Sequence, residues 1–547
     1  MKTIFKVKYI LFGVLLLSAF LRLFLLPSVP PSASLDEASI GWNAYSILHT
    51  GKDEYSNSFP ILLRAYDDYR PALYVYFVAP SVKIFGLNAF SVRLPSVLFS
   101  ILTVFAIYML VKEMFKDQKI FNNEKLALIT AFLVAVSPWH IYLSRLGHEV
   151  NIGLSFFIFA LLFFLKRRIY FSALFFLLSF VSYQSEKIFI PVILLGIFLI
   201  FKKDILNLRK KIAIAAILSF IILLPFIKST LSPDALLRFK ATNIFDANKS
   251  RFIEQSLLLQ KADKEHDFIS KVLYNRRLLS VQIVSEAYLS HFNPVWLFTN
   301  ASGDHHKIPS FGLLYLWTLP FILIGIYVLI SGNFDSKIKK LIFLWFLSAP
   351  LSAAITTEYP HALRSLTFIP TWEIFTSIGL LFIYGLIRRE KIRKFSLTFS
   401  FLIIFFTIAL LYKQYFEVFP KTQSGSFQYA LSKAVPYVVE NEKSYQKVIF
   451  SNSDNLYQSY MFFLFYSKYD PALYQKEGGT KSGGYSATHN FGKYEFRPFN
   501  IGIEKKGNLY VGNSAELNLK GIVATQVKTL TEISNLNGDK AIKIVTK

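Results

Sequence analysis

Residues 94–151 read LPSVLFSILTVFAIYMLVKEMFKDQKIFNNEKLALITAFLVAVSPWHIYLSRLGHEVN. An apolar run, a basic loop, a second apolar run and a tight polar turn follow one another, the pattern of a helical hairpin crossing a bilayer whose hydrocarbon core is about 30 Å thick. The alternation continues in both directions. Further apolar runs lie at Tyr9 to Leu26, Val150 to Leu165, Ile169 to Tyr183, Ile188 to Phe201, Ile212 to Ile227, Phe311 to Ile330, Leu341 to Ile355, Leu366 to Ile387 and Phe395 to Tyr412. With Leu94 to Val111 and Leu126 to Leu143 they make eleven, and they predict an all-α polytopic membrane protein of about eleven transmembrane helices.

Composition agrees. The 547 residues are 53% hydrophobic and 17% charged, with 56 Phe, whereas a soluble domain is about 25% charged. The absence of Cys excludes disulfides, zinc-thiolate sites, iron–sulfur clusters and a Cys nucleophile. Lys and Arg number 60 against 35 Asp and Glu. They gather in short clusters between apolar runs, so the positive charge is accounted for by a membrane rather than by nucleic acid.

Those clusters orient the chain. With the N-terminus in the cytoplasm, every inside loop is basic: Lys2 to Lys8, Lys112 to Lys125, Lys166 to Arg168, Lys202 to Lys211, Lys337 to Lys340 and Arg388 to Lys394. The positive-inside rule then places the N-terminus inside and, with an odd span count, the C-terminus outside the cytoplasmic membrane. Ala72 to Phe85 is apolar too, but counting it would invert each later basic loop, so it reads as an interfacial or re-entrant helix. The first run has signal-peptide features and, with ten runs after it, reads as an uncleaved anchor. The expected organisation is a membrane body over 1–412, with outside segments at 27–71, 144–149 and 228–310, followed by a small extracytoplasmic α/β domain over 413–547. In that tail, strand-like runs at Lys447 to Ser451, Asn508 to Val511 and Ala541 to Val545 accompany a helix-like run at Leu456 to Ser467.

Candidate chemistry gathers on the outside face. The first outside loop opens with Ser34-Leu35-Asp36-Glu37, a carboxylate pair near the bilayer surface that is costly unless solvated, paired or functional. Its bland reading is a helix cap. The loop adds Asp53, Glu54, Asp67 and Asp68, ending in Tyr69-Arg70-Pro71-Ala72-Leu73-Tyr74. The second turn carries Ser144-Arg145-Leu146-Gly147-His148-Glu149, in which Arg145 and Glu149, four apart, could pair. Alternatively Glu149 faces Asp36, and the two could hold a divalent ion through hard oxygens, with His148 as a further ligand or donor. Lys187 follows the fifth run, and His305, His306 and Arg364 complete the outside cations. Each is a candidate for holding a lipid phosphate, against a salt bridge for Lys187 and a snorkelling anchor for Arg364.

With Ser34 to Glu37, Arg70 to Tyr74, Phe90-Ser91-Val92-Arg93-Leu94-Pro95-Ser96 and Ser144-Arg145 to Glu149 in view, the sequence resembles the GT-C membrane glycosyltransferases. It is closest in pattern to the branch of protein O-mannosyltransferases, aminoarabinose transferases and lipopolysaccharide-core transferases. The resemblance implies catalytic roles for Asp36, with Glu37 beside it, and for Glu149. Arg70, Tyr74, Arg145, His148, Lys187, His305, His306 and Arg364 are the candidates for substrate contacts. Two departures stand out: Glu149 replaces the commoner Asp, and Arg70-Pro71-Ala72 replaces a double proline. The implied donor is a polyprenyl-phosphate monosaccharide, the acceptor a hydroxyl of a protein, lipid or glycan, and the reaction an inverting displacement with a first-loop carboxylate as base. A divalent metal is needed by some members and not others.

Rival readings are a lipid-linked-sugar flippase and a lipid-diphosphate glycan ligase or polymerase. The first would show midplane charges and repeated halves; here charges sit at one interface and no repeat is evident.

Overall fold

The computed structural model describes residues 2–118, 120–230, 243–262, 268–299, 306–484, 487–518 and 526–547. They fall into two compact units. One comprises Met1–Leu21, Phe99–Leu143 and Val150–Ile408, the other Arg22–Leu98, Ser144–Glu149 and Ala409–Lys547.

Each of the eleven apolar runs lies largely on helix. Among the described residues, four helices are long and apolar enough to cross a membrane: Ala89–Met114, Arg209–Lys228, Leu366–Leu386 and Glu390–Thr422. The pair Asn123–Val136 and Pro138–Ser144 makes a fifth if counted as one span, bent by 57°. Pro138 has no N–H to give the preceding turn, which is why the run breaks there. Other runs form shorter apolar helices such as Val150–Leu165 and Ile169–Phe180, so helix length alone does not return the expected count.

In the first unit the helix window at Leu366–Leu386 is 78% buried and that at Arg209–Lys228 only 6%, which makes one an interior helix and leaves the other exposed. The interior helix packs on Leu319–Ser331 through matched glycines. A Cβ on Gly325 would lie 1.8 Å from the Phe375 carbonyl oxygen, and one on Gly379 would lie 2.0 Å from that of Phe321. Only hydrogen fits at either position, and backbones approach this closely in membranes at small residues. Polar groups between these helices are satisfied internally: Thr130 Oγ1 donates to Ser377 Oγ at 2.9 Å, and Trp345 Nε1 to the Thr367 carbonyl at 2.7 Å.

The second unit contains a six-stranded mixed sheet in the order His489–Phe491, Tyr494–Phe496, Val448–Phe450, Leu509–Asn513, Lys540–Thr546, Lys528–Ser534. Val448–Phe450 is parallel to both its neighbours. Helix Tyr429–Asn441 packs on the sheet and on helix Ser459–Ser467. One face of the sheet buries Ile449, Tyr510 and Val545.

The expected strands and helix of the tail are therefore present, and the first loop folds with them in the same unit. Ser32 Oγ donates to the Phe427 carbonyl at 2.5 Å, Trp42 Nε1 to that of Tyr469 at 3.3 Å, and Gln475 Nε2 to Thr50 Oγ1 at 2.9 Å. Gly41 is the contact point, since a Cβ there would lie 2.5 Å from the Phe465 ring.

Candidate active site

Helix Leu35–Thr50 begins in a capping box: Ser34 Oγ accepts from the Glu37 amide, and Glu37 Oε2 accepts from the Ser34 amide. Asp36 and Glu37 thus occupy consecutive positions of the first turn, about 100° apart around the helix, and the two carboxylates meet different surroundings.

Glu37 turns inward. It is 1% exposed and receives Arg93 Nε at 2.7 Å, Arg93 Nη2 at 2.9 Å and the Gly147 amide at 2.8 Å besides Ser34. Arg93 is itself fully buried and also donates to the carbonyls of Leu26, Pro30 and Ser32. This bidentate pair pins the chain before the helix, the helix itself and the turn over residues 145–149 to one another. Gly147 is required in that turn, because a Cβ would lie 2.6 Å from Val92 and 3.1 Å from Glu37.

Asp36 turns outward. Its side chain is 47% exposed, and it accepts from Arg70 Nη2, whose own side chain is only 7% exposed. Arg70 is delivered by the hairpin Leu62–Ala65/Asp68–Pro71, where it lies opposite Leu63, and Tyr66 ties the hairpin to the helix start through the Leu35 carbonyl at 2.9 Å. Burial works against the Arg70 charge, but the carboxylates of Asp36 and Glu149 outweigh it and hold its pKa above the ordinary value. Among the described residues, Arg70 Nε and Nη1 are buried without a hydrogen-bond partner, and so is Glu149 Oε2. His148 Nδ1 stands 3.5 Å from that oxygen. Unfilled donors and an unfilled acceptor in a built polar site call for a polar ligand.

Two expected substrate contacts, Tyr74 and Arg145, are buried and hydrogen-bonded to backbone carbonyls. Tyr74 is 1% exposed and gives its hydroxyl to the Val92 carbonyl at 2.7 Å. Arg145 is fully buried, with Nη1 on the Arg22 carbonyl at 2.7 Å and Nη2 on that of Val29 at 2.8 Å. Its guanidinium also lies over the Phe416 ring at 4.9 Å. The expected pairing with Glu149 assumed helix between them, whereas residues 145–149 form a turn.

Glu54, in the second acidic group, is fully buried and accepts from Asn43 Nδ2 at 3.0 Å, Tyr460 Oη at 3.0 Å and Thr480 Oγ1 at 2.9 Å. Burial pushes its carboxyl up to about 7 from 4.5. Between these two values the folded protein keeps a proton that the unfolded chain has lost, so stability falls as pH rises through the window. Glu54→Gln is expected to melt above wild type at pH 8 and to converge with it near pH 5; parallel melting curves at both pH values would contradict the buried neutral carboxyl.

The remaining cations belong to the first unit. Arg364 is engaged within its own loop, with Nη1 on Thr356 Oγ1 at 2.8 Å and Nη2 on Glu358 Oε2 at 3.3 Å. His306 stacks on His361 at 4.6 Å. A hydrogen bond from His361, helped by Arg364, draws the Glu358 carboxyl down to about 2. Lys187 is partly exposed. Its neighbour Glu186 is buried and lies against Gly153, where a Cβ would sit 3.3 Å from Glu186 Cγ. His305 lies outside the described residues. No three His, Asp or Glu side chains among the described residues cluster to hold a metal ion.

Sequence reasoning quoted Arg93 without giving it a role. A charge in an apolar helix must find a partner, and that signal pointed to it.

Residues 69–228 match the family model described as dolichyl-phosphate-mannose-protein mannosyltransferase, a stretch that includes Arg70, Arg93 and Glu149 but not Asp36. No curated protein matches the chain. Among solved structures, the archaeal oligosaccharyltransferase AglB from Archaeoglobus fulgidus, in complex with an inhibitory peptide and a dolichol-phosphate, matches with a TM-score of 0.50 at 14% identity, covering 93% of this chain and 70% of that one. ArnT from Cupriavidus metallidurans, bound to undecaprenyl phosphate, matches with a TM-score of 0.49 at 10% identity, covering 99% and 98%. The family-model match bears out the resemblance over residues 69–228, and the likeness to AglB is one of fold.

Proposed function

We propose that the chain is a glycosyltransferase that moves a monosaccharide from a polyprenyl-phosphate donor to an acceptor hydroxyl at the outer face of the cytoplasmic membrane. The observation that carries this reading is the pairing of a half-exposed carboxylate, Asp36, with a buried guanidinium, Arg70, whose other donors are unfilled. The match of residues 69–228 to a family of lipid-phosphate-sugar transferases supports the donor class. The orientation follows from the basic loops, with the N-terminus inside, about eleven crossings and the C-terminus outside.

In this reading the acceptor oxygen attacks the anomeric carbon from the face opposite the phosphate while its proton passes to Asp36. The bond from the anomeric carbon to the phosphate oxygen breaks, and the lipid phosphate leaves with the electron pair as an anion. It needs no proton, because positive charge aimed at it stabilises it as it forms. Arg70 supplies that charge through Nε and Nη1. Glu149, with Oε2 unfilled, orients a sugar hydroxyl or the acceptor. Glu37 is a positioning residue. No step runs through a divalent ion: Asp36 and Glu149 both already stabilise the Arg70 cation, so a metal on these two carboxylates would compete with it.

The test is release of lipid phosphate from radiolabelled polyprenyl-phosphate sugars by the purified protein in lipid, by slow hydrolysis where no acceptor is supplied. Arg70→Lys, which keeps the charge and loses the planar fork, is expected to slow release about 10²-fold. Release only from lipid-diphosphate donors, or a wild-type rate in Arg70→Lys, would overturn the assignment.

A further inference from the structure

At the basic ends of the first unit's helices lies a cup of about 260 Å³, lined by the cations Lys116, Arg167 and Lys337 and the carboxylates Glu113, Asp117, Asp204 and Asp335. Asp204 holds two of the cations side by side, with Lys337 Nζ at 2.5 Å and Arg167 Nη2 at 3.5 Å. Arg167 nevertheless stays 75% exposed and lines the cup. Lys116 is held on Glu113 at 2.6 Å. Asp117 is exposed on the same rim.

The cup continues into an apolar groove of about 490 Å³ between the helices Ile169–Phe180, Glu186–Ile200 and Arg209–Thr230. Phe164, Ile169, Ile205 and Ile212 line both spaces. The outer wall of the groove is the helix that is only 6% buried, so the groove runs along hydrocarbon from a polar mouth.

We propose that this cup and groove form a binding site for a glycerophospholipid with an amine-bearing zwitterionic head, in the leaflet that the basic loops assign to the cytoplasm. A polar mouth opening onto an apolar trough matches one amphiphile, head in the cup and an acyl chain in the groove. The head is chosen by charge. Arg167 and Lys337, fixed together by Asp204, face a phosphodiester, since a guanidinium fork and an ammonium suit its two free oxygens. Asp117, on the rim, faces the ammonium. Four carboxylates against three cations give the cup no surplus positive charge for an anionic head, whereas a zwitterion meets both signs.

The experiment is native mass spectrometry of the full-length protein in mild detergent, titrated with palmitoyl-oleoyl phosphatidylethanolamine or the matching phosphatidylglycerol. One phosphatidylethanolamine is expected to bind with about tenfold preference, the size of one added charge-assisted contact at a partly exposed position. Asp117→Lys is expected to reverse that preference. Leu194→Trp, which fills the groove from an exposed position, is expected to remove tight binding of both lipids, and Ala216→Trp does the same from the facing helix should the first variant fail to fold. Equal binding of the two heads by wild type, an unchanged preference in Asp117→Lys, or retention of lipid in both folded tryptophan variants would overturn the proposal. Lipid-phosphate release by Arg70-intact protein is independent of these residues, so failure here leaves the catalytic assignment standing.

Discussion

Asp36→Asn is expected to remove the proposed sugar transfer, with the turnover rate falling by about 10²–10⁴-fold, the usual contribution of a positioned base. The replacement keeps the side-chain shape and one carbonyl oxygen for Arg70 Nη2, and Ser34 with Glu37 still caps the helix. The side chain is half exposed, so little packing depends on its charge. Binding of the lipid-phosphate donor is therefore retained while the acceptor proton has nowhere to go. Measured as initial rate against donor concentration, the loss appears in kcat rather than KM. A wild-type rate in this variant would remove Asp36 as the base. Loss of donor binding along with the rate would instead make its contact with Arg70 the function.

Arg93→Met is expected to produce the largest loss of folded protein. Five donor contacts disappear at a fully buried position, and Glu37 is left as a buried carboxylate with only backbone amides. Breaking one side of a buried ion pair costs about 3–5 kcal/mol, a large part of the ~5–15 kcal/mol that holds a typical protein folded. The second change Glu37→Leu removes the stranded charge and is expected to restore part of the melting temperature. Activity does not return, because the first turn of helix Leu35–Thr50 loses both its box partner and its tie to Gly147. A wild-type melting temperature in Arg93→Met would refute the account.

Much of this was legible in the sequence, and what was not has a physical reason. Apolar length located the helices, and strand-like runs at Lys447 to Ser451, Asn508 to Val511 and Ala541 to Val545 located the strands Val448–Phe450, Leu509–Asn513 and Lys540–Thr546. Both signals are local. Asp36 and Arg70 were each singled out, but their contact joins a helix start to a hairpin 34 residues on, which no periodicity reports. Asp36 and Glu37 could not be told apart, because which of two neighbouring first-turn residues faces inward depends on what packs against the helix. For Arg145 and Glu149, helical spacing was assumed across Gly147, which lies in a turn. Arg145 then reaches the carbonyls of Arg22 and Val29, over 100 residues back.

The ties between the first loop and the tail set an order in time. Ser32 meets Phe427, 395 residues later, and Trp42 meets Tyr469, 427 residues later. Glu54 finds Tyr460 and Thr480 at similar separations. At about 5–20 residues per second of synthesis, the loop bearing Asp36 emerges roughly tens of seconds before the segment that closes over it exists. These hydrogen bonds therefore form last, and the Glu54 carboxyl has neither Tyr460 nor Thr480 until the tail has been made.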